Sequence, residues 1–135
     1  MEKDREIKQK SAVELAFMGD AVYELLVREH ITRSIDTKPN TLHRMCVDYV
    51  CADAQCAALE LLLPELSPEE LDIVRRGKNA TKTSVPRNGS PRSYRSSTAL
   101  EALFGYLYLC GETQRARLLF SHITQQRDSM QPTQG

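Results

Sequence analysis

The stretch SAVELAFMGDAVYELLVREHITR, residues 11–33, sets the pattern for the whole chain. Ser11, followed three residues later by Glu14, forms a capping box, which predicts a helix that begins there and runs to about Ile31 or Arg33. Apolar residues recur through it at intervals of three and four, the period of an amphipathic helix. No segment of the chain alternates convincingly with period two. The sequence therefore predicts an all-α fold.

The helical pattern continues beyond this stretch, interrupted by proline and glycine. It predicts further helices over 40–50, 52–63, 67–77, 98–110 and 112–123. Between the fourth and fifth of the six predicted helices, residues 79–93 hold Pro86, Gly89 and Pro91 without periodic apolar residues. This composition predicts a long loop, and loops of that length inside compact domains are usually functional or mobile.

Length and composition indicate one globular domain. The chain has 135 residues, of which 41% are hydrophobic and 27% charged, so intrinsic disorder is excluded. No stretch approaches the roughly 20 apolar residues that a membrane span requires. No signal-peptide pattern opens the chain either. We therefore expect a cytoplasmic protein with no membrane partner.

The charged residues are unevenly distributed. The chain carries 18 basic and 18 acidic residues, which gives a net charge of zero. Between Asp72 and Glu101, however, no acidic residue occurs, and seven basic residues lie there: Arg75, Arg76, Lys78, Lys82, Arg87, Arg92 and Arg95. A basic segment on an acidic body favours a nucleic-acid partner, which the whole-chain charge conceals.

Two carboxylates, Asp20 and Glu101, lie in unusually apolar surroundings, and each is near a helical glycine, Gly19 or Gly105. Glycine inside a helix costs about 1 kcal/mol relative to alanine, so its presence indicates a close approach by another group. Two such acids could bind a hard cation such as Mg²⁺. The alternatives are a solvent-facing role for Asp20 and a capping box between Thr98 and Glu101.

The cysteines give a weaker metal hypothesis. Cys46, Cys51, Cys56 and Cys110 match no zinc spacing, and only His43 and Cys46 are spaced to share a metal on a helix. No second ligand pair accompanies them. We expect the thiols to be small buried hydrophobic groups.

Several motifs carry a resemblance to a known family. FMGDAV at 17–22 resembles the signature FLGDAV of the ribonuclease III family, and EALFGYLY at 101–108 resembles its second signature, EALIGAxY. Four further stretches resemble the short bacterial subfamily called Mini-ribonuclease III: GDAVYE at 19–24, KPNTLH at 38–43, RRGKNA at 75–80 and YRSST at 94–98. The resemblance covers roughly residues 11–123, in order and without a large gap.

The resemblance implies a ribonuclease III-like helical endonuclease domain over 11–128, between a charged arm at 1–10 and a flexible tail at 129–135. Such a domain forms a homodimer and cleaves double-stranded RNA with Mg²⁺, and Asp20 and Glu101 correspond to its metal-binding catalytic acids. In the subfamily the substrate is a ribosomal RNA precursor, usually that of the large subunit. Assistance by a ribosomal protein is compatible with this expectation. From the chain length we expect no separate double-stranded-RNA-binding domain.

The chain departs from the larger family at two positions. Val13 occupies the position of a family glutamate, and Thr98 occupies that of a family aspartate, although the subfamily shares the threonine. The family's set of four carboxylates is thereby reduced to Asp20 and Glu101. The number of metal ions bound at each site is therefore left open.

The basic segment is expected to supply the RNA affinity that a second domain would otherwise give. We predict that eight residues contact RNA: Arg76, Lys78, Asn79, Lys82, Arg87, Tyr94, Arg95 and Thr98. The alternative is an ordinary solvated charged loop. For the whole protein, the alternatives are a ribonuclease III-like module that binds structured RNA without cutting it, and a helical protein–protein adaptor.

Overall fold

The computed structural model describes the backbone of residues 2–80 and 90–130 and the side chains of residues 4–80 and 90–128. In these ranges there are seven α-helices and no strand, so the predicted all-α fold is confirmed. A short 3-10 helix, Leu63–Glu65, follows the fourth of them. The helices are α1 (Glu2–Lys8), α2 (Ala12–Ser34), α3 (Pro39–Val50), α4 (Ala52–Leu62), α5 (Pro68–Asn79), α6 (Pro91–Leu109) and α7 (Thr113–Met130).

Helix α6 forms the centre of the domain and packs against α1, α2, α4, α5 and α7. Most of its middle turns are buried, and Leu100, Leu103 and Phe104 are all 0% exposed. The ring of Tyr23 on α2 makes edge-to-face contacts with Phe104 and with Phe120 of α7. A helix with apolar residues on most of its sides is buried by its neighbours, and five other helices pack around this one.

The backbones of α2 and α6 approach closely where the two helices cross. A Cβ atom on Gly19 would lie 1.5 Å from the carbonyl oxygen of Glu101, and one on Gly105 would lie 1.9 Å from that of Leu15. Both distances are far below van der Waals contact, so any other residue at either position would force the helices apart. The two glycines therefore pack against each other's helix inside a single chain.

The start of α6 corrects the prediction for this region. The helix begins at Pro91, where Ser90 accepts a hydrogen bond from the backbone N–H of Ser93, and not near Thr98. Thr98 is a buried residue inside the helix, and its hydroxyl donates to the carbonyl oxygen of Tyr94. The predicted loop is thus too long at its C-terminal end, and a capping box between Thr98 and Glu101 is wrong.

The other predicted boundaries need smaller corrections. The predicted capping box at Ser11 is present and opens α2, and the structure also has a capping box at Ser67, which opens α5. Helix α5 continues past Gly77 to Asn79, and α7 continues past Ile123 to Met130. The middle of the predicted loop, residues 81–89, and the end of the predicted tail, residues 131–135, lie outside the described residues.

The predicted N-terminal arm contains helix α1 and folds onto the domain. The side chain of Ile7 is buried in the core. Arg76 of α5 donates hydrogen bonds to the carbonyl oxygens of Lys8 (2.9 Å) and Lys10 (2.6 Å), which holds the end of α1 in place. Among the described helices, none combines the length and the hydropathy needed to cross a membrane.

Candidate active site

The crossing of α2 and α6 brings Asp20 and Glu101 together. Asp20 directly follows Gly19 on α2, and Glu101 lies one turn before Gly105 on α6. Asp20 is exposed and Glu101 is half-buried, and their carboxyl groups are within hydrogen-bonding reach of each other. In the described part of the chain, no lysine or arginine forms an ion pair with either of them. The result is a pair of adjacent acids without a cationic side chain beside them.

The environment of this pair changes the acidity of Glu101. Burial raises the pKa of Glu101 from 4.5 to about 7, and the negative charge of Asp20 acts in the same direction. A hydrogen bond from Gln55 acts in the opposite direction and favours the carboxylate form. Near neutral pH this carboxyl group is therefore close to the midpoint of its titration, and a cation bound beside it would favour the charged form.

Gln55 contacts the candidate site, and sequence reasoning did not identify it. It lies on α4, is only 2% exposed, and its Nε2 donates to Oε2 of Glu101 over 3.5 Å. One feature of the sequence could have identified Gln55: it is a polar residue on a helix face that otherwise consists of Cys56, Leu59 and Leu62, which are all buried. A polar residue at a buried helical position indicates a hydrogen-bonding partner on a neighbouring element. The sequence does not tell which partner this is.

The carboxylate oxygens of Asp20 and Glu101 suit a hard divalent cation that is bound by few protein ligands. In the described ranges, no group of three or more His, Cys, Asp or Glu side chains is close enough to bind one metal ion. Val13 is exposed, and the buried Thr98 bonds to its own helix. Mg²⁺ is usually bound by one or two carboxylates and keeps several waters, and two adjacent carboxylates meet that requirement.

The cysteines follow the sequence prediction only in part. Cys46 and Cys56 are buried, as predicted, and Cys110 is half-buried. Cys51 is exposed at the junction of α3 and α4, because it caps α4 from outside the helix.

A basic cavity of about 450 Å³ lies where α5 ends and α6 begins. It is lined by Lys78, Asn79, Arg92, Arg95 and Ser96. Arg95 lies six residues before Glu101 on α6, which places it about 9 Å further along the helix axis. The structure thus brings three predicted RNA-binding residues, Lys78, Asn79 and Arg95, to one cavity. Arg92 was not among the predicted residues, and it also forms an ion pair with Glu60 at 3.0 Å.

The other predicted RNA-binding residues have different surroundings. The guanidinium of Arg76 bonds to the backbone of residues 8 and 10, and the hydroxyl of Thr98 bonds to Tyr94. The side chain of Tyr94 is half-buried. Lys82 and Arg87 lie outside the described residues.

An apolar stripe runs along the exposed side of α2. Val13, Phe17 and Leu25 are 59%, 83% and 59% exposed, respectively, and they are separated by four and eight residues, so they share one side of the helix. Ala21, between them, is also exposed. Clustered exposed apolar side chains are typical of an interaction surface. Asp20 lies on the same helix, next to Ala21.

Comparison with known proteins identifies the family. The ribonuclease III domain matches residues 13–112, which is most of the chain. The chain belongs to the ribonuclease III family. Mini-ribonuclease 3 of Symbiobacterium thermophilum is 46% identical over 101 residues, which cover 75% of this chain and 78% of the relative. Mini-ribonuclease 3 of Staphylococcus aureus is 39% identical over 124 residues, which cover 90% and 92% of the two chains.

A solved structure agrees with this assignment. The crystal structure of a Fusobacterium nucleatum protein is similar to this fold with a TM-score of 0.81 and 28% sequence identity, and the match covers 90% of this chain and 97% of that one. The resemblance to Mini-ribonuclease III inferred from the sequence is confirmed by the named relatives. This member of the ribonuclease III family is accordingly an endoribonuclease.

We predict that the carboxylate pair makes stability depend on pH. The pKa of Glu101 is raised in the folded state, so its contribution to stability is complete below the unfolded value of 4.5 and is lost as the pH rises through about 7. In EDTA, the Tm of the wild type should fall by a few degrees more than that of Glu101→Gln between about pH 5 and pH 8. The exposed Glu112 provides a control: Glu112→Gln should keep the wild-type pH dependence. Equal pH dependence in wild type and Glu101→Gln would contradict the prediction.

Proposed function

We propose that this endoribonuclease cleaves double-stranded RNA with Mg²⁺, and that Asp20 and Glu101 are its catalytic, metal-binding residues. The observation that carries the proposal is the contact between two carboxyl groups that no cationic side chain neutralises in the described part of the chain. Keeping two acids adjacent opposes folding through charge repulsion, so a site that keeps them is expected to bind a cation.

The two acids have complementary roles. When bound, Mg²⁺ would supply an activated water and would neutralise charge on the phosphate oxygens. Asp20 offers an exposed carboxylate at the surface, where an RNA backbone can approach. Glu101 offers a half-buried carboxylate whose position is fixed by α6 and by the amide of Gln55. In this reading no side chain acts as a nucleophile, and the protein supplies binding and orientation.

The proposed substrate is the double-stranded part of a ribosomal RNA precursor, in particular that of the large subunit. This substrate rests on the resemblance of the chain to Mini-ribonuclease III and on its similarity to relatives of that name. We place the reaction in the cytoplasm, without a membrane partner and with room for assistance by a ribosomal protein.

The basic cavity is the proposed RNA contact surface. Double-stranded RNA is recognised mainly by its shape and by its phosphates and 2′-hydroxyls, which suits a positively charged surface more than a set of base-specific contacts. Lys78, Asn79 and Arg95 line the cavity, and Arg92 extends the proposed set. Lys82, Arg87 and Tyr94 are proposed to add contacts. For Arg76 and Thr98 we propose a supporting role, because their side chains already bond to the backbone of this chain.

A homodimer is proposed because each chain carries only one Asp20–Glu101 pair. A duplex has two strands related by a pseudo-two-fold axis, and two pairs related by a two-fold axis can cut both. The apolar stripe of α2 supports this arrangement. The side chain of Phe17 is 83% exposed in the isolated chain, and a second copy would cover it.

We predict that Asp20→Asn and Glu101→Gln each reduce cleavage of long duplex RNA by at least about 10²-fold, because each removes a charge that holds the cation. Both variants keep the shape of the side chain, so their Tm should equal or exceed that of the wild type. Gel analysis with Mg²⁺ and with EDTA measures this, and Glu112→Gln should cut normally. If the wild type retards the duplex on the gel in Mg²⁺ but does not cut it, the result would favour the non-cleaving RNA-binding module instead.

We predict that Lys78→Ala and Arg95→Ala each weaken duplex binding and lower the salt dependence of log K by a little under one, as expected for the loss of one phosphate contact. The double variant Lys82→Ala and Arg87→Ala should also weaken binding, and its slope should change by a little under one for each phosphate contact that is lost. Binding is measured in EDTA at several salt concentrations. Arg44→Ala, an exposed cation on α3, is the control and should leave affinity and slope unchanged. Unchanged values for Lys78→Ala and Arg95→Ala would place the RNA on another face.

We predict that Phe17→Glu converts the dimer into a monomer of about 15 kDa, since it places a charge in the apolar stripe. Phe17 is exposed within its own chain, so helicity and cooperative unfolding should be retained. Sedimentation velocity measures the change. Tyr108→Glu changes another exposed aromatic residue, on α6, and should leave the dimer intact. A wild type that sediments as a monomer while cutting duplex RNA would disprove the homodimer.

A further inference from the structure

Gln55 is a buried amide on a helix face that is otherwise apolar. Its side chain is 2% exposed, and the buried residues near it on α4 include Cys56 and Leu59. A buried amide loses its hydrogen bonds to water and is tolerated when a protein group replaces them. The presence of glutamine here therefore calls for a partner that needs a hydrogen-bond donor.

That partner is Glu101. Nε2 of Gln55 donates to Oε2 of Glu101, and Asp20 is the other group within hydrogen-bonding reach of this carboxyl. An amide donates hydrogen bonds without carrying a charge. It can thus hold a carboxylate in place without competing with a cation for it, as a lysine or arginine at the same position would.

The helix that carries Gln55 is fixed to the helix that carries Glu101. The hydroxyl of Ser93 on α6 donates to Oδ1 of Asp53 on α4 at 2.7 Å. Arg92 on α6 pairs with Glu60 on α4 at 3.0 Å. Asp53 lies two residues before Gln55 and Glu60 lies five residues after it. The two contacts therefore hold α4 against α6 on both sides of the Gln55 amide.

We infer that Gln55 is a positioning residue, which holds the Glu101 carboxylate beside Asp20 and so raises the affinity of the pair for a divalent cation. Groups that hydrogen-bond to metal-binding side chains orient them, and losing one typically reduces metal affinity or activity by about 10- to 100-fold. The inference rests on the proposed function of Asp20 and Glu101 and adds to it a residue from a third helix.

The test compares the wild type with Gln55→Met and Gln55→Leu, two apolar replacements of similar size. Metal binding is measured without RNA, with Mn²⁺ as the probe and the electron paramagnetic resonance signal of the free ion as the readout. Cleavage is then titrated with Mg²⁺ at saturating duplex. Both variants should bind Mn²⁺ about 10-fold or more weakly and need correspondingly more Mg²⁺ for half-maximal cleavage. Their KM for RNA and their Tm in EDTA should stay close to the wild-type values.

The control is Thr124→Val on α7, which removes a different buried polar group and should leave Mn²⁺ binding unchanged. Glu101→Gln shows the effect of losing the ligand itself. If the wild type binds no Mn²⁺ and does not require Mg²⁺ to cleave, the proposed function fails. If the wild type binds the metal and both Gln55 variants bind it within about twofold of that affinity, the inference alone is overturned. Loss of cooperative folding in both variants also overturns it, because Gln55 would then serve the core.

Discussion

The absence of a side chain at two positions on crossing helices is the constraint on which the rest of the structure depends. Gly19 and Gly105 let α2 and α6 approach until backbone atoms meet, at distances where a Cβ atom has no space. This crossing fixes the separation of the two helices at the point where each carries an acid. The same contact that closes the core therefore also brings the two acids of the candidate site together.

The two adjacent carboxyl groups lower the free energy of unfolding, whereas the apolar packing around them raises it. Burial and the charge of Asp20 both raise the pKa of Glu101, so the folded chain binds a proton there more readily than the unfolded chain does. The cost is tolerated because α6 is held by apolar contacts on all sides, with Leu100, Leu103 and Phe104 fully buried. Strain of this kind is typical of functional sites, where a rigid scaffold maintains an unfavourable arrangement of charge.

The basic cavity and the apolar stripe lie on different parts of the domain. The cations of the basic cavity lie at the N-terminal end of α6, and the apolar stripe lies on the outer side of α2. Basic residues of the same segment nonetheless have different surroundings, since Arg76 secures α1 to the domain while Lys78 lines the cavity. Position in the sequence alone does not separate these cases, because residues two apart on a helix point in different directions.

The sequence by itself determined the helices whose ends carry local signals. The capping box at Ser11 acts over three residues, so it can be recognised without knowledge of the fold. The start of α6 was missed although Ser90 and Pro91 repeat the serine–proline signal of α5, because the surrounding prolines and glycine favoured a loop. Asp20 and Glu101 are predicted site residues because of their neighbouring glycines and the motif resemblance, and the structure places them side by side. Only the tertiary structure decided that these glycines meet within one chain, that Gln55 contacts Glu101 and that Arg76 holds α1. Each of these contacts joins residues at least 46 positions apart, and no local pattern encodes a partner at that distance.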